Sequence, residues 1–128
     1  MPNRISNVPA HKNPNYSTSP GNPTTDKIFL LSVVEAQTYF ATDADRKADA
    51  TRYAVKKGAC VHGSETGEFS YGGKCSDVHC LPDWWLRSPG YSTDDAACVG
   101  YNGKQLIGYY DMVDVNCHAV RPALWVNF

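Results

Sequence analysis

The sequence predicts an α+β domain in which two helices precede a small, mostly antiparallel sheet. Three observations carry this reading. Ser32 and Glu35 stand at the spacing of a capping box, just ahead of an apolar helical face. Gly58 sits where a second helical pattern stops. Asn102-Gly103, the strongest two-residue turn signal, lies between two strand-like runs near the C-terminus.

Residues 1–26 hold five of the eight prolines (Pro2, Pro9, Pro14, Pro20 and Pro23), with Asn, Ser and Thr between them. Proline lacks the donor that helices and central strands need, so this segment is an extended arm or linker, either disordered or lying along the domain. The domain proper is residues 27–128. Ile28 to Leu31 form a short apolar strand. Helix one runs from about Val33 to Phe40, with Val33, Ala36, Gln37 and Phe40 along one side. Helix two fits about Ala50 to Lys57 and buries Tyr53 and Ala54. Ala59 to Pro82 reads as a long Gly/Ser/Cys-rich loop, and the acids Asp43, Asp45 and Asp49 as a solvated turn.

Strands follow. Trp84 to Ser88 is one, and Ala96–Tyr101 with Lys104–Tyr110 form a hairpin through Asn102-Gly103. A last strand spans Ala119 to Asn127 and carries Val120, Leu124, Trp125 and Val126. Pro122 makes it an edge or a bulged strand.

The bulk numbers narrow the partners. A chain of 128 residues is one domain with room for a core, and a net charge of -1 argues against nucleic acid or an acidic membrane surface. No apolar run approaches the ~20 residues of a membrane span, so no insertion is expected. The N-terminus lacks the apolar stretch of a secretory signal peptide. Five cysteines leave at least one thiol unpaired within the chain.

The segments "DKIFLLSVVEAQTYF", "DWWLRSPG", "DAACVGYNGK" and "AVRPALWVNF" resemble the bacterial WWLRSPG…VRPALW domain family of gut bacteria and their phages. The resemblance covers Thr25 to Phe128, with the two C-terminal motifs about thirty residues apart. That family is similar to the C-type-lectin-like fold, in the branch shared with formylglycine-generating enzyme. Some members resemble the variable proteins of diversity-generating retroelements, which present a mutable ligand-binding face. Family members often carry more chain before the "DKIFLLS" strand. The calcium-lectin triplets are absent, so calcium-dependent sugar binding is not implied.

Between the fixed motifs lie Tyr91, Ser92, Thr93, Asp94, Asp95, Tyr101, Asn102, Tyr109, Tyr110, Asp111, Asp114, Asn116 and His118, the candidate ligand-binding residues. Tyrosine gives stiff amphipathic contact area and Ser, Asn, Asp and Gly give adaptable hydrogen bonds, the mixture that antibody paratopes use. The several Asp residues imply a basic or neutral ligand. Adenine-directed mutagenesis, implied by the resemblance, would leave Lys104, Gln105 and Met112 as scaffold, with Cys98 and Cys117 as chance products. An ordinary polar loop and hairpin is the plainer alternative.

The expectation is therefore a non-enzymatic domain, without cofactor, that recognises a cell-surface protein or glycan from a phage particle or bacterial surface. Arg87, Arg121, Trp84, Trp85 and Trp125 are read as scaffold, the arginines bonded to carbonyls and carboxylates. Two alternatives stand beside it. One is a purely structural module. The other is a copper-dependent oxidase similar to formylglycine-generating enzyme, with Cys75, His79 and Cys80 as its metal ligands and Cys60 and His62 upstream. A disulfide or simple loop thiols are favoured over a metal at that cysteine pair.

Overall fold

The computed structural model describes residues 5–70, 74–104 and 110–127. It is a small mixed α/β domain with three helices and four small sheets among the described residues. Every strand-to-strand ladder is antiparallel.

Residues 5–26 lie along the domain. Strands β1 (Ser6–Val8) and β2 (Thr24–Asp26) pair with each other, and Val8 and Asn13 are buried. Strand β3 (Phe29–Leu30) is shorter than the predicted one because Ile28 is exposed and Leu31 turns into the core.

Helix α1 (Val33–Tyr39) begins at the predicted capping box. The Ser32 hydroxyl accepts from the Glu35 amide and the Glu35 carboxylate accepts from the Ser32 amide. Val33 and Ala36 face the core. The Val33 amide, one of the donors a helix start leaves unpaired, donates to the Ser88 hydroxyl at 3.0 Å.

A further helix stands ahead of the predicted second one, where the acids were expected to form a solvated turn. Helix α2 (Asp43–Arg46) is a single turn with its own capping box, Thr42 to Asp45, so Asp43 and Asp45 are not a mere solvated turn. Its reason is Arg46, 5 % exposed, which donates to the carbonyls of Phe40 and Gly103 and pairs with Asp43. Helix α3 (Arg52–Lys56) is capped by Thr51 and stops before Gly58, which takes φ 103°. Tyr53 is 70 % exposed, so it is not the buried side of that helix.

The predicted loop from Ala59 to Pro82 instead holds three strands: β4 (Val61–Gly63), β5 (Phe69–Ser70) and β6 (Cys80–Pro82), in the order β5-β4-β6. Then come β7 (Trp84–Pro89), β8 (Asp95–Val99) and β9 (Tyr110–Met112), in the order β7-β8-β9. The predicted hairpin through Asn102-Gly103 is seen in part, since residues 105–109 of its second strand lie outside the described residues. Gly100 to Gly103 form a turn at the end of β8, and β8 pairs with β9 from Asp95 opposite Met112 to Ala97 opposite Tyr110. Gly103 has φ 72°, and a Cβ there would fall 1.7 Å from the Asp43 carbonyl oxygen, so the turn presses onto α2 where only glycine fits.

The last predicted strand shrinks to β10 (Pro122–Ala123), paired with β3, plus an isolated parallel bridge between Ala119 and Trp84. Pro122 is in a two-stranded ribbon, where a missing donor is tolerated.

Alternation along β7 divides its residues between two sides. Trp84, Leu86 and Ser88 are buried, while Trp85, Arg87 and Pro89 are partly exposed. Trp84 and Leu86 join Leu31, Val33, Ala36, Ala97 and Val99 in the core. The Trp84 indole donates to the Arg46 carbonyl, which also accepts from Arg121.

Arg87 donates to the carbonyls of Pro9 and Leu30 and pairs through both terminal nitrogens with Glu35. Burial by itself raises the Glu35 carboxyl. The Arg87 hydrogen bond, the Ser32 amide and the Arg87 charge outweigh it and hold the group below its ordinary 4.5. A carboxylate lowered in the folded state contributes stability above its unfolded pKa and loses it as the pH falls through the folded value. Two outcomes are expected in chemical denaturation. Arg87→Ala costs about 3 kcal/mol at pH 7, because it leaves a largely buried carboxylate unpaired. The wild type loses stability as the pH falls below 4.5, and Glu35→Gln flattens that dependence.

Candidate ligand-binding site

The predicted face falls into two groups of residues. The first is the turn between β7 and β8. The Gly90 amide donates to the Asp95 carbonyl, and the Ser92 hydroxyl meets the carboxylates of Asp94 and Asp95. That hydroxyl, then the backbone amide of Asp94, holds the Asp94 carboxyl below its ordinary range. Tyr91, Thr93 and Asp94 are exposed. Tyr91 stands edge-on to Tyr16 at 5.7 Å, and its carbonyl accepts from Thr18 at 2.7 Å, so the arm braces this turn. The Val113 amide donates to the Asp94 carbonyl and ties the turn to the segment after β9.

The second group lies around Trp85. Trp85 pairs with Cys98 across the β7–β8 ladder, and Asp111 pairs with Ala96 across β8–β9. The His118 ring packs on Trp85 at 4.5 Å, and its side chain is only 7 % exposed. Its Nε2 lies 3.4 Å from Asp111 Oδ2 and is buried without a hydrogen-bond partner. The disulfide Cys60–Cys117 joins this segment to the residue before β4, and the Cys60 amide donates to the Cys117 carbonyl at 2.9 Å.

These residues enclose a cavity of about 270 Å³ with His62, Phe69, Asp83, Asp111, Val115 and His118 in its walls, over the disulfide. Tyr101 stacks on His62 at 3.7 Å, nearly parallel, and its amide donates to Asp83 Oδ1 at 2.6 Å. Phe69 closes on His62 from 4.8 Å. Cys98 is completely buried, and its thiol is pushed up by that burial and then by the charges of Asp83 and Asp111.

The structure thus brings Asp111 and His118 to one cavity, stacks Tyr101 on His62 in its wall, and groups Tyr91 to Asp95 beside the arm. Asn102 is spent on the turn, its side-chain oxygen accepting from the Lys104 amide. Asp114 and Asn116 are exposed on the connection to Cys117. Tyr109 lies outside the described residues, as does the side chain of Tyr110, whose backbone belongs to β9. Sequence reasoning left out Phe69 and Asp83 and took His62 only as a neighbour of a possible metal site. No sequence signal marked them, because the strands around His62 are only two or three residues long.

At the proposed metal position, Cys75 and Cys80 are joined in a disulfide, and His79 Nδ1 sits 2.8 Å from Asp49 Oδ2. No group of three or more His, Cys, Asp or Glu could hold a metal ion among the described residues. Cys117 bonds Cys60 and Cys98 fills a buried position, so both have structural places.

The chain belongs to the DUF6273 family, a domain of unknown function whose model matches residues 1–128. No curated protein and no solved structure matches it. No described helix is long and apolar enough to cross a membrane.

The cysteine chemistry is directly measurable. Mass spectrometry after iodoacetamide is expected to show no alkylation of the native protein and one modified thiol, Cys98, after denaturation without reductant. Replacing both Cys60 and Cys117 by Ser is expected to cost roughly 2–4 kcal/mol, from the longer loop that this bond closes. Opening Cys75–Cys80, five residues apart in sequence, costs less.

Proposed function

We propose that this chain is a non-enzymatic ligand-binding domain with a C-type-lectin-like fold, which displays residues 91–118 to a cell-surface protein or glycan. The observation that carries the reading is how that stretch is held. Asp95 and Asp111 anchor it in the β7-β8-β9 sheet and Cys117 is fastened to Cys60. Tyr91, Thr93, Asp94, Asp114 and Asn116 remain exposed. Fixed ends with outward polar and tyrosine side chains suit recognition, because little order has to be created on binding.

The WWLRSP strand and the residues around Arg121 are scaffold in this reading. Retroelement-type diversification would act on the exposed positions and spare Cys117 and His118, which the fold uses. The two disulfides favour an oxidising setting, such as a phage particle or a bacterial surface. The same disulfides make the copper oxidase the weaker alternative.

Labelled protein incubated with a panel of intact gut bacteria tests this. Saturable binding to a subset of strains is expected. The variant Tyr91→Ala/Asp94→Ala/Asp114→Ala/Asn116→Ala should weaken it by at least about tenfold, since truncating interface hot spots costs ~1–2 kcal/mol or more. Its melting temperature should stay within a few degrees of the wild type. Binding that this variant leaves unchanged would assign recognition to another surface.

A further inference from the structure

The geometry points to the cavity between β4 and the 111–118 segment as a receptor for one cationic side chain, a lysine or arginine presented by a protein partner. The inference rests on the ligand-binding reading above and names the chemistry of its innermost contact.

Size comes first. At about 270 Å³ the cavity is below the ~300–1,000 Å³ typical of drug-sized ligand sites, and suits a single side chain. Charge comes second. Asp83, which also accepts from the Tyr101 amide, and Asp111 both line it, and among the described residues no Lys or Arg does. Their field is felt behind the wall, where both carboxylates disfavour ionisation of Cys98. Shape comes third. Phe69 and His62 line it with aromatic rings, and the Phe69 ring attracts a guanidinium or ammonium through its quadrupole.

An independent observation concerns His118. Its side chain is 93 % buried by the complement of its 7 % exposure, yet Nε2 has no hydrogen-bond partner among the described residues. Buried polar atoms are nearly always satisfied, and those that are not call for an explanation. Asp111 Oδ2 stands 3.4 Å away, outside good geometry. A ligand N–H entering beside Asp111 would meet a wall made of carboxylate oxygens and an imidazole nitrogen. A glycan would have to satisfy the same wall with hydroxyls alone and would gain nothing from the two negative charges.

The test uses small probes on the intact chain, followed by NMR at the Trp85 indole and the Tyr101 and His118 rings. N-acetyl-arginine amide and N-acetyl-lysine amide are titrated beside N-acetyl-citrulline amide, the neutral near-isostere of the first. At least one cationic probe is expected to shift these signals saturably at millimolar concentration, at least tenfold tighter than citrulline. Asp111→Asn should reduce that affinity at least tenfold, and raising the salt should weaken it.

Equal response to citrulline, or no saturable shift with any of the three, overturns the inference. So does a saturable response to simple hexoses in place of the cations, which would assign the cavity to a glycan. Should Asp111→Asn fail to fold, the arginine–citrulline comparison on the wild type still decides. A cavity that ignores cations, on a protein that still binds cells through Tyr91 and Asp94, would sink this inference alone. Loss of both would sink the ligand-binding reading as well.

Discussion

Arg87, in β7, is placed where four parts of the chain meet, and its guanidinium bonds to the other three. It donates to the Pro9 carbonyl in the arm and to the Leu30 carbonyl in β3, and it pairs with Glu35 on α1, all from its own position in β7. The Phe29 ring lies below it at 5.9 Å. Arginine suits this position because its planar fork can serve several acceptors at fixed angles, which a lysine ammonium cannot reproduce. Glu35 in turn closes the capping box, and Ser32 meets His11 at 2.8 Å. Remove the guanidinium and the arm, β3 and the helix start all lose a shared partner.

Trp85 stands on the same side of β7 as Arg87, away from the core. With Trp84, Leu86 and Ser88 committed to the core, Trp85 is left to pack with His118. A second, smaller layer is built there from β4, β5 and the 111–118 segment, and the Cys60–Cys117 disulfide fastens it. Arg46 plays a similar part at the other end, drawing α2, the Gly100–Gly103 turn and Phe40 together. The exposed turn at Tyr91 and the cavity at Asp111 are therefore both carried by strands whose positions are fixed elsewhere.

The features legible in the sequence were those whose cause is local. The Ser32–Glu35 capping box depends on residues three apart, and the Gly58 stop on one residue's freedom at positive φ. The β7 strand stands where it was read, although its alternation shows in burial and not in residue type, and Arg87 and Arg121 bond to carbonyls as expected. What could not be read has its cause far away in the chain. Helix α2 is too short and too charged to show a periodic face, and it exists to seat Arg46 under carbonyls up to 57 residues distant. Strands β4 to β6 are two or three residues long, so their alternation is below any useful window. Tyr53 was assigned inward by helical spacing, but α3 has no buried residue. The cavity combines Asp83 and the 60–69 region with the 111–118 segment, a meeting that no local pattern announces.

The central claim is that fold and display are carried by different residues. A saturation-substitution library displayed on yeast and scored by protease resistance measures this across the whole domain in one experiment. Strong intolerance is expected at Glu35, Trp84, Leu86, Arg87, Ser88 and Val99, with broad tolerance at Tyr91, Thr93, Asp94, Asp114 and Asn116. Equal intolerance at those five positions would contradict the account, because it would make them structural and leave the chain without a displayed surface.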